Sequence, residues 1–261
     1  MSYYPILKSP YCQGTTTLYN FSPNNWESVY KGKQFVNLTY IQDETWCSHS
    51  LGELMYGDSR TISHSDVVDL MSENTLPLLS LTQEKLSEHC QILPILNCNH
   101  TQVPTYRATL NLTSEWMTTS YQGEIDPFPP QASLLTFSPF LQFGKNVENY
   151  VLLMNLEKQP SNREVGVKIY DAESKVIKST QKAMSNQVNV ISLDDLGFDE
   201  SSLPVVVCNE MAAIPLYFAC TNRGEFLSLE HTHPPASLVI HGNRFGAQKA
   251  LKEYWTSQFN T

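Results

Sequence analysis

The chain has 261 residues, 17 Lys and Arg against 26 Asp and Glu, and a net charge of -9. It is long enough for two domains, each able to bury its own core. The acidic balance, without a clustered basic run, excludes recognition of a phosphate backbone, and no apolar stretch reaches the ~20 residues of a membrane span.

The start, Met1 to Cys12, has neither a basic region nor a long apolar run, so the sequence predicts a cytoplasmic protein. The six cysteines form no C-x-x-C pair and are expected as free thiols. Charged residues are sparse at 16%, while Tyr, Phe, Thr and Ser are plentiful, a mixture that favours strands. Lys33 to Ile41 alternates as a strand should, and Thr61 to Leu70 is a strand running into a corner. Ser80 to Gln83 has capping-box spacing, which predicts a short helix over 80–89.

Leu93 to Asn111 recurs as Leu203 to Asn222 with one residue of gap. Leu93, Pro94, Cys98 and Asn99 fall on Leu203, Pro204, Cys208 and Asn209; Pro104, Tyr106, Ala108 and Asn111 fall on Pro215, Tyr217, Ala219 and Asn222. Further matches place Leu18, Phe21, Ser22 and Pro23 on Leu134, Phe137, Ser138 and Pro139, and Thr61–Leu70 on Val188–Leu196. These matches predict a tandem duplication, with units near 1–127 and 128–261. Trp116 and Tyr121 then fall in the linker, where a cleft could form.

The second unit has turn signals at regular intervals. Asn149 to Leu156 is a continuous apolar run, and Val165, Val167 and Ile169 alternate with Gly166 and Lys168. A hairpin turn at Asp171–Ser174 and a corner at Asp194–Gly197 separate further short strands, Val188–Ser192, Pro204–Asn209, Pro215–Cys220 and Glu225–Leu229. The expected fold class is all-β: two tandem antiparallel β-sandwich units from an internal duplication, plus a C-terminal amphipathic helix over 244–259. Leu251, Trp255 and Phe259 supply its apolar stripe and Asn243 its cap.

The sharpest chemical motif is Glu230-His231-Thr232-His233. His-x-His on a strand places both rings on one face, and His241 and Glu230 complete a candidate site for a divalent metal such as zinc. The pair resembles part of a cupin metal motif, from which the chain departs at Ser237. No nucleophile elbow, phosphate loop or H-E-x-x-H accompanies it. The leading expectation is a non-catalytic binding or interaction protein with a glycan or protein ligand. The alternatives are a metal-dependent enzyme using His231, His233, His241 and Glu230, and a structural subunit of an oligomer.

Overall fold

The computed structural model describes residues 3–21, 31–71, 75–96, 108–138, 141–231 and 244–259. The chain divides into two compact units. Unit 1 comprises Met1–Pro127 with Leu156–Asn162, and unit 2 comprises Phe128–Asn155 with Arg163–Thr261.

Unit 1 contains β1 (Tyr4–Pro5), β2 (Gln13–Tyr19), β3 (Gln34–Gln42), β4 (Thr45–Leu54), β5 (Ser59–Ser63), β6 (Leu78–Thr82), β7 (His89–Cys90), β8 (Ala108–Thr113) and β9 (Thr118–Tyr121). They form two antiparallel sheets, ordered β1-β6-β3-β4-β7 and β5-β2-β8-β9. One buried cluster joins them: Val36, Leu38, Leu79 and Leu81 of the first sheet meet Leu18, Ile62 and Ala108 of the second. A shared core between two sheets makes the unit a β-sandwich. At its margin Leu7 crosses β2 so closely that a Cβ at Gly14 would lie 1.6 Å from the Leu7 carbonyl oxygen, which only glycine permits. Trp46 is 1% exposed, and its indole donates to the Lys158 carbonyl at 2.9 Å. The Leu93 amide donates to that same oxygen at 2.8 Å.

Unit 2 contains β10 (Leu134–Phe137), β11 (Val147–Met154), β12 (Glu164–Asp171), β13 (Val176–Met184), β14 (Val188–Ser192), β15 (Pro204–Cys208), β16 (Ile214–Thr221), β17 (Leu227–His231) and α1 (Arg244–Thr256). Its sheets run β10-β15-β12-β13 and β14-β11-β16-β17. Val165, Val167, Ile169 and Val206 pack against Val151, Leu153, Ile191 and Tyr217 between them. The alternation of β12 therefore buries one face. The unbroken apolar run of β11 buries both, since Leu152 and Met154 are as hidden as Val151 and Leu153. The expected corner is a 3-10 turn at Asp194–Leu196, stopped by Gly197 in the left-handed region. Asp194 accepts hydrogen bonds from the Asn149 amide and side chain.

The two units share one strand order: β1-β6-β3-β4 matches β10-β15-β12-β13, and β5-β2-β8-β9 matches β14-β11-β16-β17. This is the pattern a duplicated sandwich leaves. The Thr61–Leu70 match holds as a strand and corner, because β5 and β14 each pair with the first long strand and end in a 3-10 corner, with Thr61 in the register position of Val190 rather than Val188. The other matches do not hold residue for residue. Ala108 and Ala219 lie on the corresponding strands β8 and β16, but Ala108 pairs with Leu18 of β2 and Ala219 with Asn149 of β11, whereas the register equivalent of Ala108 is Pro215, opposite Leu153. β15 corresponds to β6, whereas Leu93–Leu96 lies in no strand and residues 97–107, Cys98 included, lie outside the described residues. Leu18 sits on β2, whose counterpart is β11, not the β10 strand that carries Leu134. Shared Leu, Pro and Cys in apolar stretches produced these alignments.

Three further expectations are corrected. No helix occupies 80–89. Leu78–Thr82 is the buried strand β6 between β1 and β3, and a fully buried apolar segment overrides a two-residue cap signal. The reciprocal capping box lies instead at Ser63 and Asp66. Trp116 and Tyr121 belong to the β8–β9 hairpin rather than to a linker. In the C-terminal segment, Leu251 is 56% exposed and Lys252 only 8%. The Lys252 ammonium bonds the Ser133 carbonyl and hydroxyl, while Phe259, beyond the helix end, packs on Tyr170, Val205 and Val207. The expected cap, Asn243, lies outside the described residues. No described helix is long and apolar enough to cross a membrane.

Candidate ligand-binding face of unit 1

The expected metal ligands begin on β17, an edge strand. Glu230 pairs with Tyr217 and His231 with Leu216. As adjacent strand positions they direct their side chains to opposite faces of the sheet. His233 and His241 lie outside the described residues. Among the described residues no three His, Cys, Asp or Glu side chains gather closely enough to hold a metal ion. The corner carboxylates serve turns: Asp199 accepts from the Ser201 amide at 2.9 Å and from the Ser201 and Ser202 hydroxyls at 2.6 and 3.0 Å. These bonds hold its carboxyl below the usual range.

A different surface has the more unusual chemistry. In β2, Thr16 and Leu18 are buried and the intervening residues are not. Thr16 is tolerated inside because its hydroxyl donates to the Pro5 carbonyl at 2.8 Å. The period of two turns Gln13, Thr15, Thr17 and Tyr19 outward. β8 buries Ala108, Leu110 and Leu112 and turns Thr109, Asn111 and Thr113 outward.

Register extends this face across the whole sheet. Thr61 and Ser63 of β5 stand beside Thr17 and Thr15, with Ser59 beside Tyr19. Thr118 and Ser120 of β9 stand beside Thr113 and Asn111. Every outward position in the four strands therefore carries a hydroxyl or an amide, and none carries a charge or an aliphatic side chain.

These groups bond laterally across the strands. Thr17 and Thr61 hydroxyls lie 2.9 Å apart, and those of Thr113 and Thr118 lie 3.1 Å apart. The Ser120 hydroxyl donates to the Asn111 carbonyl oxygen at 2.8 Å, and the Asn111 amide donates to Thr15 at 3.3 Å. Thr109 donates to the Tyr19 hydroxyl at 3.4 Å. A hydroxyl has one donor and two acceptor sites, so one lateral bond leaves capacity for a ligand. Ser63, at the end of β5, is committed to the exposed Asp66 in the corner that follows, donating to it at 2.6 Å and holding that carboxyl below its usual range.

Comparison with known protein families, curated proteins and solved structures found no match.

The second unit supplies an internal control instead. Its equivalent of the row Thr61, Thr17, Thr109 is Val190, Leu152, Leu216. The equivalent of Ser63, Thr15, Asn111, Ser120 is Ser192, Tyr150, Phe218, Leu229. Leu152, Leu216 and Phe218 are buried. The same fold at the same face is thus apolar in one copy and hydroxyl-tiled in the other. Where unit 2 exposes a sheet surface, on β12 and β13, it uses charge: Glu164, Lys168 and Lys182, with Lys182 and Glu164 paired at 2.8 Å. The uncharged face of unit 1 is therefore not this chain's only solution for a solvated sheet.

Aromatic groups flank the face. Phe21, just beyond β2, is 38% exposed and meets Tyr19 edge-on at 5.4 Å between ring centroids. Trp116, in the β8–β9 turn, is 65% exposed. Its backbone is fixed by Ser114, whose hydroxyl accepts from the Trp116 and Met117 amides at 3.2 and 3.0 Å. The sequence singles out Trp116, though as a linker residue, and does not reveal the face. The signal was present as TTT in β2 and as the alternating ATLNLT and TTSY segments.

Proposed function

We propose that the protein is a non-catalytic binding protein whose ligand is a glycan, held on the outer face of β5-β2-β8-β9. One observation carries this reading: every outward position in that sheet presents a hydroxyl or amide and none a charge. Such a surface offers paired donors and acceptors without electrostatic selection. A polyhydroxylated, uncharged ligand complements it, whereas nucleic acids and acidic or basic peptides gain nothing from it. Exposed Phe21 and Trp116 add apolar area on which a sugar ring can stack at small entropic cost.

The test is retention of the purified protein on immobilised neutral polysaccharides, against anionic ones as controls. Thr17→Lys and Thr109→Lys place charge on the face without touching the core. Both should abolish retention, while Lys182→Ala on unit 2 should leave it intact. Equal retention of all three variants would sink the assignment of the face.

A further inference from the structure

We infer that the face recognises an internal stretch of an extended, neutral polysaccharide lying along β2, rather than a chain end or a single sugar. The inference rests on the glycan reading above and deepens it.

The geometry of β2 points this way. It is a central strand, flanked on both sides by strands whose outward residues are also hydroxyls or amides. From Gln13 to Tyr19 it runs about 20 Å at ~3.4 Å per residue, and the four strands together are about 14 Å wide. Gln13, Thr15 and Thr17 repeat along it, with Thr61 and Thr109 as lateral neighbours of Thr17. The Tyr19–Phe21 aromatic pair stands at its far end. A ligand laid along this track meets the same chemistry at successive steps, as a polymer with a repeating unit does. Recognition of a chain end would need an enclosing wall that reads the terminal group. β2 lies instead in the middle of a sheet surface, with partly exposed side chains along its length.

Energetics also favours length. One neutral hydrogen bond contributes about 0.5–1.5 kcal/mol net, too little for a single sugar to bind usefully. Several rows engaged together are needed. Because no outward strand position of the sheet carries a charge, affinity should depend little on ionic strength.

The experiment is calorimetric titration of the full chain with neutral β-linked gluco-, xylo- and manno-oligosaccharides, from monosaccharide to hexasaccharide. In at least one series, affinity should rise about tenfold or more from disaccharide to hexasaccharide, then level as the ligand fills the track. In that series, raising the salt to about 0.5 M should change affinity by less than about twofold. Phe21→Ala and Thr15→Lys should each weaken hexasaccharide binding about tenfold, with thermal melting confirming that both variants are folded. A monosaccharide binding as tightly as the hexasaccharide would overturn internal-chain recognition and leave the glycan reading standing. Binding to no neutral glycan of any length would overturn both.

Discussion

A single buried asparagine follows the first long strand in each unit. Asn20, after β2, is 2% exposed and donates to the Leu54 and Gly32 carbonyls at 2.8 and 3.0 Å. Asn155, after β11, is fully buried; it donates to the Ala212 carbonyl at 2.7 Å and accepts from the Asn186 amide at 2.8 Å. Asn20 ties β2 to the open end of the β3–β4 hairpin, Asn155 ties β11 to the β13–β14 and β15–β16 connections, and burial makes those bonds obligatory. Asn155→Ala should therefore cost about 1–3 kcal/mol, the penalty for leaving buried partners unsatisfied, measured by urea unfolding. Leu18-Tyr19-Asn20 and Leu153-Met154-Asn155 share only Leu and Asn, too little to stand out in the sequence, although they mark the true register of the repeat. Asn20 and Asn37 also head glycosylation-like triplets, and both are buried. Lys252 is a second residue with a measurable consequence. Burial pushes its ammonium down to about 8 from an ordinary 10.5, while the buried Cys208 thiol nearby is pushed up. The folded state binds this proton less tightly than the unfolded state. The desolvation cost is thus fully present below about pH 8 and fades as pH rises toward 10.5. Docking of the C-terminal segment should tighten across that window, seen as slower proteolysis behind α1. Lys252→Met should remove the pH dependence.

At the level of elements, the second unit was more legible than the first. Its strands alternate cleanly or run apolar throughout, and its turns carry Asp, Asn and Gly, so period and punctuation agreed. Ser80 illustrates the opposite case. It satisfies the spacing of a helix cap, yet it sits in a strand whose residues are all buried. Only the pairing of β6 with β1 and β3, invisible in a local window, decides between the two. The hydroxyl-tiled face was hidden for a related reason. Its residues come from four strands distant in sequence, and no single strand with two or three outward threonines is unusual. Paired positions offer a direct comparison of β8 with β16. Thr109 and Leu216 are equivalent, one on the hydroxyl-tiled surface and the other fully buried. Leu216→Ala should destabilise by about 2–5 kcal/mol, as deletion of buried methyls does. Thr109→Ala should stay within about 0.5 kcal/mol, as for an ordinary surface change. Chemical denaturation of both variants would check the contrast.

Across the whole molecule, the duplication is visible in strand order but not in a clean cut of the chain. Unit 1 takes back Leu156–Asn162, a segment that follows β11 of unit 2. Lys158 in that segment accepts the Trp46 indole proton and the Leu93 amide. The sequence could not show this, because KQPSNR has only the composition of a loop and nothing in it names a distant tryptophan. The arrangement matters during synthesis on the ribosome. The polypeptide leaves the exit tunnel from its N-terminus. When the first sandwich has emerged through Pro127, the backbone oxygen that receives Trp46 has not yet been made. The nascent first unit must wait, with that indole unsatisfied, while β10 and β11 are translated. A fragment ending at Pro127 should accordingly melt at a lower temperature than unit 1 does within the full chain. Its tryptophan emission should shift to the red as water reaches Trp46. Identical emission and melting in both would show that the returning segment contributes nothing to the first unit's completion.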